Sequence, residues 1–216
     1  MGSDLQGARL LLVTDPRPDL AARVGAAVRG GVDVVQLRDK SSPRERQLEL
    51  AEELLEVCNG GGALFTINDH PELARLAGAG GVHLGQEDGP IERARRVLGP
   101  DTVVGRSAGS VEEARAAVEE GADYLGVGTI FATPTKPDAE VAGLRLVREV
   151  AREELARGGE PVPWFVIGGI SHETAPAAIE AGAPGLAVVR AVLDADDPEG
   201  AARELRSLFD AGPTNA

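Results

Sequence analysis

Short apolar runs alternate with longer amphipathic stretches from one end of this chain to the other, eight times over. The runs fall at 9–14 (RLLLVT), 32–37 (VDVVQL), 63–67 (ALFTI), 81–84 (GVHL), 102–105 (TVVG), 124–128 (YLGVG), 163–167 (PWFVI) and 185–189 (GLAVV). Each has the length of a parallel strand covered on both faces, and lacks the clean alternation of a half-solvated one. Helical patterns fill the intervals, at 19–29, 44–57, 71–77, 90–98, 111–120, 143–157, 174–181 and 198–209. Within 44–57, Leu48, Leu50, Ala51, Leu54 and Leu55 recur at helical spacing. Ser110 stands as an N-cap, with Glu113 three residues on completing a capping box. Glycine-led entries (GGVDVV, GADYLG, GAPGLA) end a helix just before the next strand.

Eight βα units in 216 residues predict one (β/α)8 TIM barrel over 9–210, with 1–8 as an N-terminal extension and 211–216 as a frayed tail. An open doubly wound sheet is the alternative that the same alternation allows.

The polar residues gather at one end of these units. After successive strands come TDPRP, QLRDK, NDH, HLGQED, GRSAGS, TIFATPTK, GGIS and VVRA, while the strand starts carry mostly glycine, alanine and arginine. In a barrel the C-terminal strand ends meet at one rim, where active sites are built. The net charge of −13 disfavours nucleic acid and anionic membrane as partners, so an anionic substrate must be met by locally concentrated positive charge. Only two of the 22 basic residues are lysines, and both, Lys40 and Lys136, fall at rim positions. A strand extended to Lys40 would put Gln36, Arg38 and Lys40 on one side, with Leu37 and Asp39 pointing away. Two cations and an amide suit an anion carrying a polar ring; a solvated strand end is the bland alternative.

Asp69 and Asp88 close the third and fourth strand ends, and neighbouring loops can bring them to one hard cation such as Mg2+. Capping of the helices that begin near Pro71 and Pro90 accounts for the same residues, and the two roles are compatible. His83, inside an apolar strand, reads as a packed histidine with one hydrogen bond. Ser107 and Thr129 have no evident activating base and there is no G-x-S-x-G elbow, which argues against nucleophilic catalysis. Gly168-Gly169 in IGGIS and the VVRA end have the composition of a phosphate cup, although a plain tight turn also uses glycines. The rim thus holds two candidate anion sites, one around Arg38, Lys40 and Lys136 and one at the seventh and eighth strand ends beside Thr133–Thr135. The single Cys58 excludes an internal disulfide, and the absence of a leader pattern or membrane-length apolar run places the chain in the cytoplasm by expectation.

In order along residues 9–195, GGVDVVQLRDK, TINDH, GVHLGQED, VGRSA, TPTK, IGGI and VVRAV resemble the motif set of the thiamine-phosphate synthase family. The resemblance implies a (β/α)8 transferase that joins hydroxymethylpyrimidine diphosphate to a thiazole phosphate, or its 2-carboxy form, and releases pyrophosphate by a dissociative, Mg2+-assisted substitution. Carried over by position, Gln36, Leu37, Arg38, Asp39, Lys40, Asn68, Ser107 and Lys136 bind the pyrimidine diphosphate, and Arg38, Lys40, Ser107 and Lys136 are the catalytic candidates. Asp69 and Asp88 hold the metal. Thr133, Pro134, Thr135, Gly169, Val189 and Arg190 bind the thiazole phosphate. Arg190 departs from the family's usual serine, His70-Pro71 replace a frequent arginine, and Thr174 a common asparagine. A thiazole tautomerase-like isomerase and a non-catalytic phosphate-binding paralogue are the competing readings; the lysine of TPTK and the aspartate of HLGQED speak for the synthase. Monomer and homo-oligomer are both open.

Overall fold

The computed structural model describes residues 5–133, 140–158 and 160–210. Eight strands form a closed, all-parallel barrel in chain order, β8 pairing back onto β1. They are β1 (Leu10–Val13), β2 (Val34–Leu37), β3 (Leu64–Asn68), β4 (Gly81–Leu84), β5 (Val103–Ala108), β6 (Tyr124–Val127), β7 (Trp164–Val166) and β8 (Leu186–Val188). The helices outside it are α1 (Leu20–Arg29), α2 (Arg44–Gly61), α3 (Pro71–Ala77), α4 (Ile91–Leu98), α5 (Val111–Glu119), α6 (Gly143–Arg157), α7 (Ala175–Glu180), α8 (Arg190–Leu193) and α9 (Pro198–Ser207). Closure removes the open-sheet alternative. The one-turn helix α8 has no counterpart in the apolar periodicity, being too short to show one.

Period two along each strand sorts side chains into two cores. Leu10, Leu12, Val35, Phe65, Ile67, Val82, Val104, Leu125 and Val166 face outward, packed with the inner faces of the helices. Leu11, Val13, Val34, Val103, Tyr124, Phe165 and Ala187 fill the barrel interior, with Leu5 from the N-terminal segment packed among them. Because both faces are apolar, the strands read as continuous apolar runs in the sequence. Among the described residues, no helix is long and apolar enough to cross a membrane.

Local signals place the connections. Ser110 Oγ accepts from Glu113 N at 3.1 Å, capping α5 as expected, but the Glu113 carboxylate reaches back to Gly109 N (2.7 Å) rather than to Ser110. Burial pushes the Cys58 thiol up to about 12, leaving it an inert packing residue on α2.

Candidate active site

The inward rows run from the packed interior into a cavity of about 320 Å³ at the C-terminal rim. Following them upward gives its walls: Gln36 and Arg38 above Val34, Asn68 above Thr66, and His83 above Gly81. Ser107 stands above Gly105, Gly126 above Tyr124, Ile167 above Phe165 and Val189 above Ala187. Thr133, Gly168, Gly169 and Arg190 complete the mouth. Eight of the residues expected to bind substrate therefore line one cavity: Gln36, Arg38, Asn68, Ser107, Thr133, Gly169, Val189 and Arg190. Pro134, Thr135 and Lys136 lie outside the described residues.

Leu37 and Asp39 do not line this cavity. Leu37 is buried in the barrel–helix layer. Asp39 Oδ1 accepts from Ser41 N and Ser42 N, both at 2.9 Å, and folds the chain into a turn. That turn ends β2 at Leu37, so the strand does not extend to Lys40. Lys40 instead turns toward the third strand end, where Nζ lies 3.0 Å from Asp69 Oδ2.

Asp69 adopts φ 64°, a left-handed conformation that aspartate tolerates, and its N–H donates to His83 O at 2.8 Å. Its carboxyl neighbours that of Asp88, whose Oδ2 accepts from Gly85 N at 2.6 Å. Burial and then Asp69 beside it push the Asp88 carboxyl up. Burial works in the same direction on Asp69, but hydrogen bonds from Asp88 and Lys40 hold that carboxyl below its ordinary value. Neither residue caps a helix: the N-cap positions of α3 and α4 are His70 and Pro90, without side-chain caps. The capping expectation is thus corrected, because the helices begin too late for either carboxylate to reach the free N–H groups. Two neighbouring carboxyls offer oxygens and negative charge to a divalent cation. They suit Mg2+, which keeps waters and substrate oxygens as its remaining ligands. Among the described residues no group of three or more His, Cys, Asp or Glu converges as a metal cage.

Two arginines stand at the cavity, Arg38 and Arg190. Most surface arginines pair with acids, Arg115 with Glu153 at 2.8 Å for example. Among the described residues, Arg38 and Arg190 have no acidic partner. Arg38 follows β2 and Arg190 follows β8, the two strands that flank β1, and the neutral groups Gln36, Asn68, His83 and Ser107 line the same cavity, with Gln36 Nε2 donating to Asn68 Oδ1 at 2.7 Å.

The seventh strand end needs its glycines for close approach. A Cβ on Gly168 (φ 100°) would stand 2.5 Å from Thr129 Cγ2, and one on Gly169 (φ 64°) 2.7 Å from Ala132 O. The turn is held from below by Thr174, whose hydroxyl donates to Gly169 O (2.9 Å) and accepts from Ser171 N (2.9 Å).

Two expectations about the floor are overturned. His83 makes side-chain hydrogen bonds through both ring nitrogens rather than one: Nδ1 with the Tyr124 hydroxyl at 3.1 Å and Nε2 with Ser107 Oγ at 3.0 Å. Ser107 therefore does have a base beside it. The pairing was hidden because the three residues lie on separate strands, joined only by barrel register.

A family model described as thiamine monophosphate synthase matches residues 10–192. A thiamine-phosphate synthase of Mycobacterium tuberculosis (strain ATCC 25177 / H37Ra) is 47% identical over 221 residues, covering 97% of this chain and 98% of that protein. One from Saccharopolyspora erythraea is 47% identical over 212 residues, covering 94% and 93%. The solved thiamine phosphate pyrophosphorylase of Pyrococcus furiosus superposes with a TM-score of 0.83 at 34% identity, covering 95% of this chain and 96% of that one. Closed barrel, rim cavity and full-length similarity agree: the chain belongs to the thiamine monophosphate synthase family.

Proposed function

We propose that the chain is a transferase that joins 4-amino-2-methyl-5-hydroxymethylpyrimidine diphosphate to the thiazole phosphate, forming thiamine phosphate and pyrophosphate. The observation that carries this reading is a single cavity lined both by two arginines without an acidic partner among the described residues, Arg38 and Arg190, and by neutral hydrogen-bonding groups. Two anionic groups and one uncharged ring match two cations and a set of neutral hydrogen-bonding groups at one cavity.

In the reaction the C–O bond between the pyrimidine methylene and the diphosphate breaks, and its electron pair leaves with pyrophosphate. The lone pair of the thiazole nitrogen then forms the new C–N bond. No proton has to move in the bond-changing steps, so the site needs orientation and charge stabilisation rather than a strong base. Arg38 is placed to hold the diphosphate end by charge-assisted hydrogen bonds, with Lys40 and Lys136 assigned to the same end. Thr133, the Gly168-Gly169 turn and Arg190 take the thiazole phosphate, with Pro134, Thr135 and Val189 in the same assignment. Leu37 and Asp39 belong to the same diphosphate-binding assignment, with Gln36, Asn68 and Ser107. Asp69 and Asp88 would hold Mg2+, which neutralises charge on the departing diphosphate when bound.

The test is to incubate the purified protein with both precursors and Mg2+, following both products. Equimolar thiamine phosphate and pyrophosphate are expected, and neither when one precursor is left out. Absence of both products with metal replete would overturn the assignment, and conversion of the thiazole alone would identify an isomerase.

A further inference from the structure

Among the described residues Arg106 is the only buried arginine, 7% exposed. It lies on β5 between Gly105 and Ser107, which face the barrel interior and the cavity, so period two sends its side chain into the layer between barrel and helices. No acidic side chain pairs with it among the described residues. Its partners are two carbonyls: Nη1 donates to Gly89 O at 2.6 Å, and Nη2, more weakly, to Gln86 O at 3.4 Å. Taking a guanidinium out of water is costly, and an apolar side chain of the same size would fill the space without that cost. The charged group is therefore to be explained by what it holds.

It holds the loop after β4, which carries Asp88. Gly85 N donates to Asp88 Oδ2 at 2.6 Å and Asp88 N to Gly85 O at 3.3 Å, closing a tight turn. Gly89 takes a φ of 87° and leads the chain on toward α4. This turn is tied to β5 on both sides of Asp88, because Arg106 reaches Gln86 O and Gly89 O while Gln86 Nε2 donates back to Ser107 O. The two carboxyls of the candidate metal site are thus held differently. Asp69 follows β3 directly, with its N–H bonded to His83 O, whereas Asp88 stands out on a loop beyond the end of β4.

We infer that Arg106 is a positioning residue for the metal site: by fixing the Gln86 and Gly89 carbonyls it keeps the Asp88 carboxyl beside that of Asp69, and so sets the affinity for a divalent cation. This rests on the assignment of Asp69 and Asp88 to Mg2+ above. Arg106 does not line the cavity, so it acts through the loop. The sign of the effect separates positioning from charge. A buried cation repels a second cation, and by Coulomb's law alone its removal would tighten metal binding. Loss of positioning weakens it.

Mn2+ alone, titrated onto the substrate-free protein and followed by the EPR signal of the free ion, tests this. Arg106→Met is expected to weaken Mn2+ binding about tenfold, the lower end of what losing the support of a metal ligand costs. Binding of the thiazole phosphate to the same variant, measured by calorimetry, should stay within about twofold. Arg106→Lys keeps the charge but replaces a planar fork by one ammonium, and should fall between the parent and Arg106→Met. Unchanged or tighter Mn2+ binding in Arg106→Met would overturn the inference, and equal losses for Mn2+ and thiazole phosphate would reduce Arg106 to general packing. Urea denaturation identifies a variant that merely unfolds; if Arg106→Met does, Arg106→Lys against the parent carries the same comparison. Asp88→Asn, measured alongside, keeps the two readings apart. If it binds Mn2+ as tightly as the parent, the metal assignment itself fails and this inference falls with it.

Discussion

Gly105→Ala is the sharpest probe of how the barrel interior supports the site. The added methyl would stand 2.1 Å from Tyr124 Cζ and 2.3 Å from Cε1, against about 3.4 Å for ordinary contact. Tyr124 cannot swing clear. Phe165 meets it edge-on at 6.0 Å and 82°, and His83 lies 5.4 Å away on another strand. Overlap of more than an ångström on a ring held from both sides belongs at the upper end of overpacking costs, about 3 kcal/mol. For a chain of this length that lowers the melting midpoint by about 6–12 °C. Urea denaturation at unchanged m reports the loss as a shift in midpoint. In a Tyr124→Leu background, where the ring is gone, Gly105→Ala should cost less than about 1 kcal/mol. A loss below about 1 kcal/mol in the parent protein, or the same loss in both backgrounds, would refute the steric reasoning.

Three further predictions concern the rim. Arg38→Met should lower kcat/KM for the pyrimidine diphosphate about 100-fold through lost charge-assisted bonds, leaving KM for the thiazole phosphate within about twofold; steady-state pyrophosphate release measures both. Arg190→Ser should weaken the thiazole phosphate by only about 3–10-fold, because its guanidinium is exposed and screened, and the difference should shrink in high salt. Asp88 is held above the ordinary carboxylate range by burial and by Asp69. It must be ionised to bind Mg2+, so metal affinity should fall as pH drops through that raised value, and binding measured below it should release a proton. Calorimetry in two buffers of different ionisation enthalpy would detect that proton, and Asp88→Asn should abolish it.

Fold and rim were legible because both follow from short-range rules. Strands covered on two faces read as unbroken apolar runs, and the polar residues at 36–40, 68–69 and 107 mark their ends. Period two also sends Gln36 and Arg38 inward, as observed, but it fails at Lys40, where the Asp39 turn has already ended the strand. What remained hidden depends on register between strands. Ser107, His83 and Tyr124 are separated by 24 and 41 residues along the chain, and come together because glycines 105 and 126 leave room above the barrel core. A histidine inside an apolar strand, between Gly81 and Gly85, is the one sequence signal at this place, and it does not name its partners. Asp69 and Asp88 were ambiguous for another reason: aspartate before proline suits a cap, and only the helix starts at Pro71 and Ile91 separate the two roles.

The central claim is that the enzyme breaks a carbon–oxygen bond, with the diphosphate leaving from carbon while Arg38 holds it. Turnover of pyrimidine diphosphate labelled with 18O at the bridging methylene oxygen tests that directly. Attack at carbon predicts that all of the label departs with pyrophosphate and that thiamine phosphate carries none. Cleavage at phosphorus would leave the label on the pyrimidine, and pyrophosphate free of 18O would contradict the account.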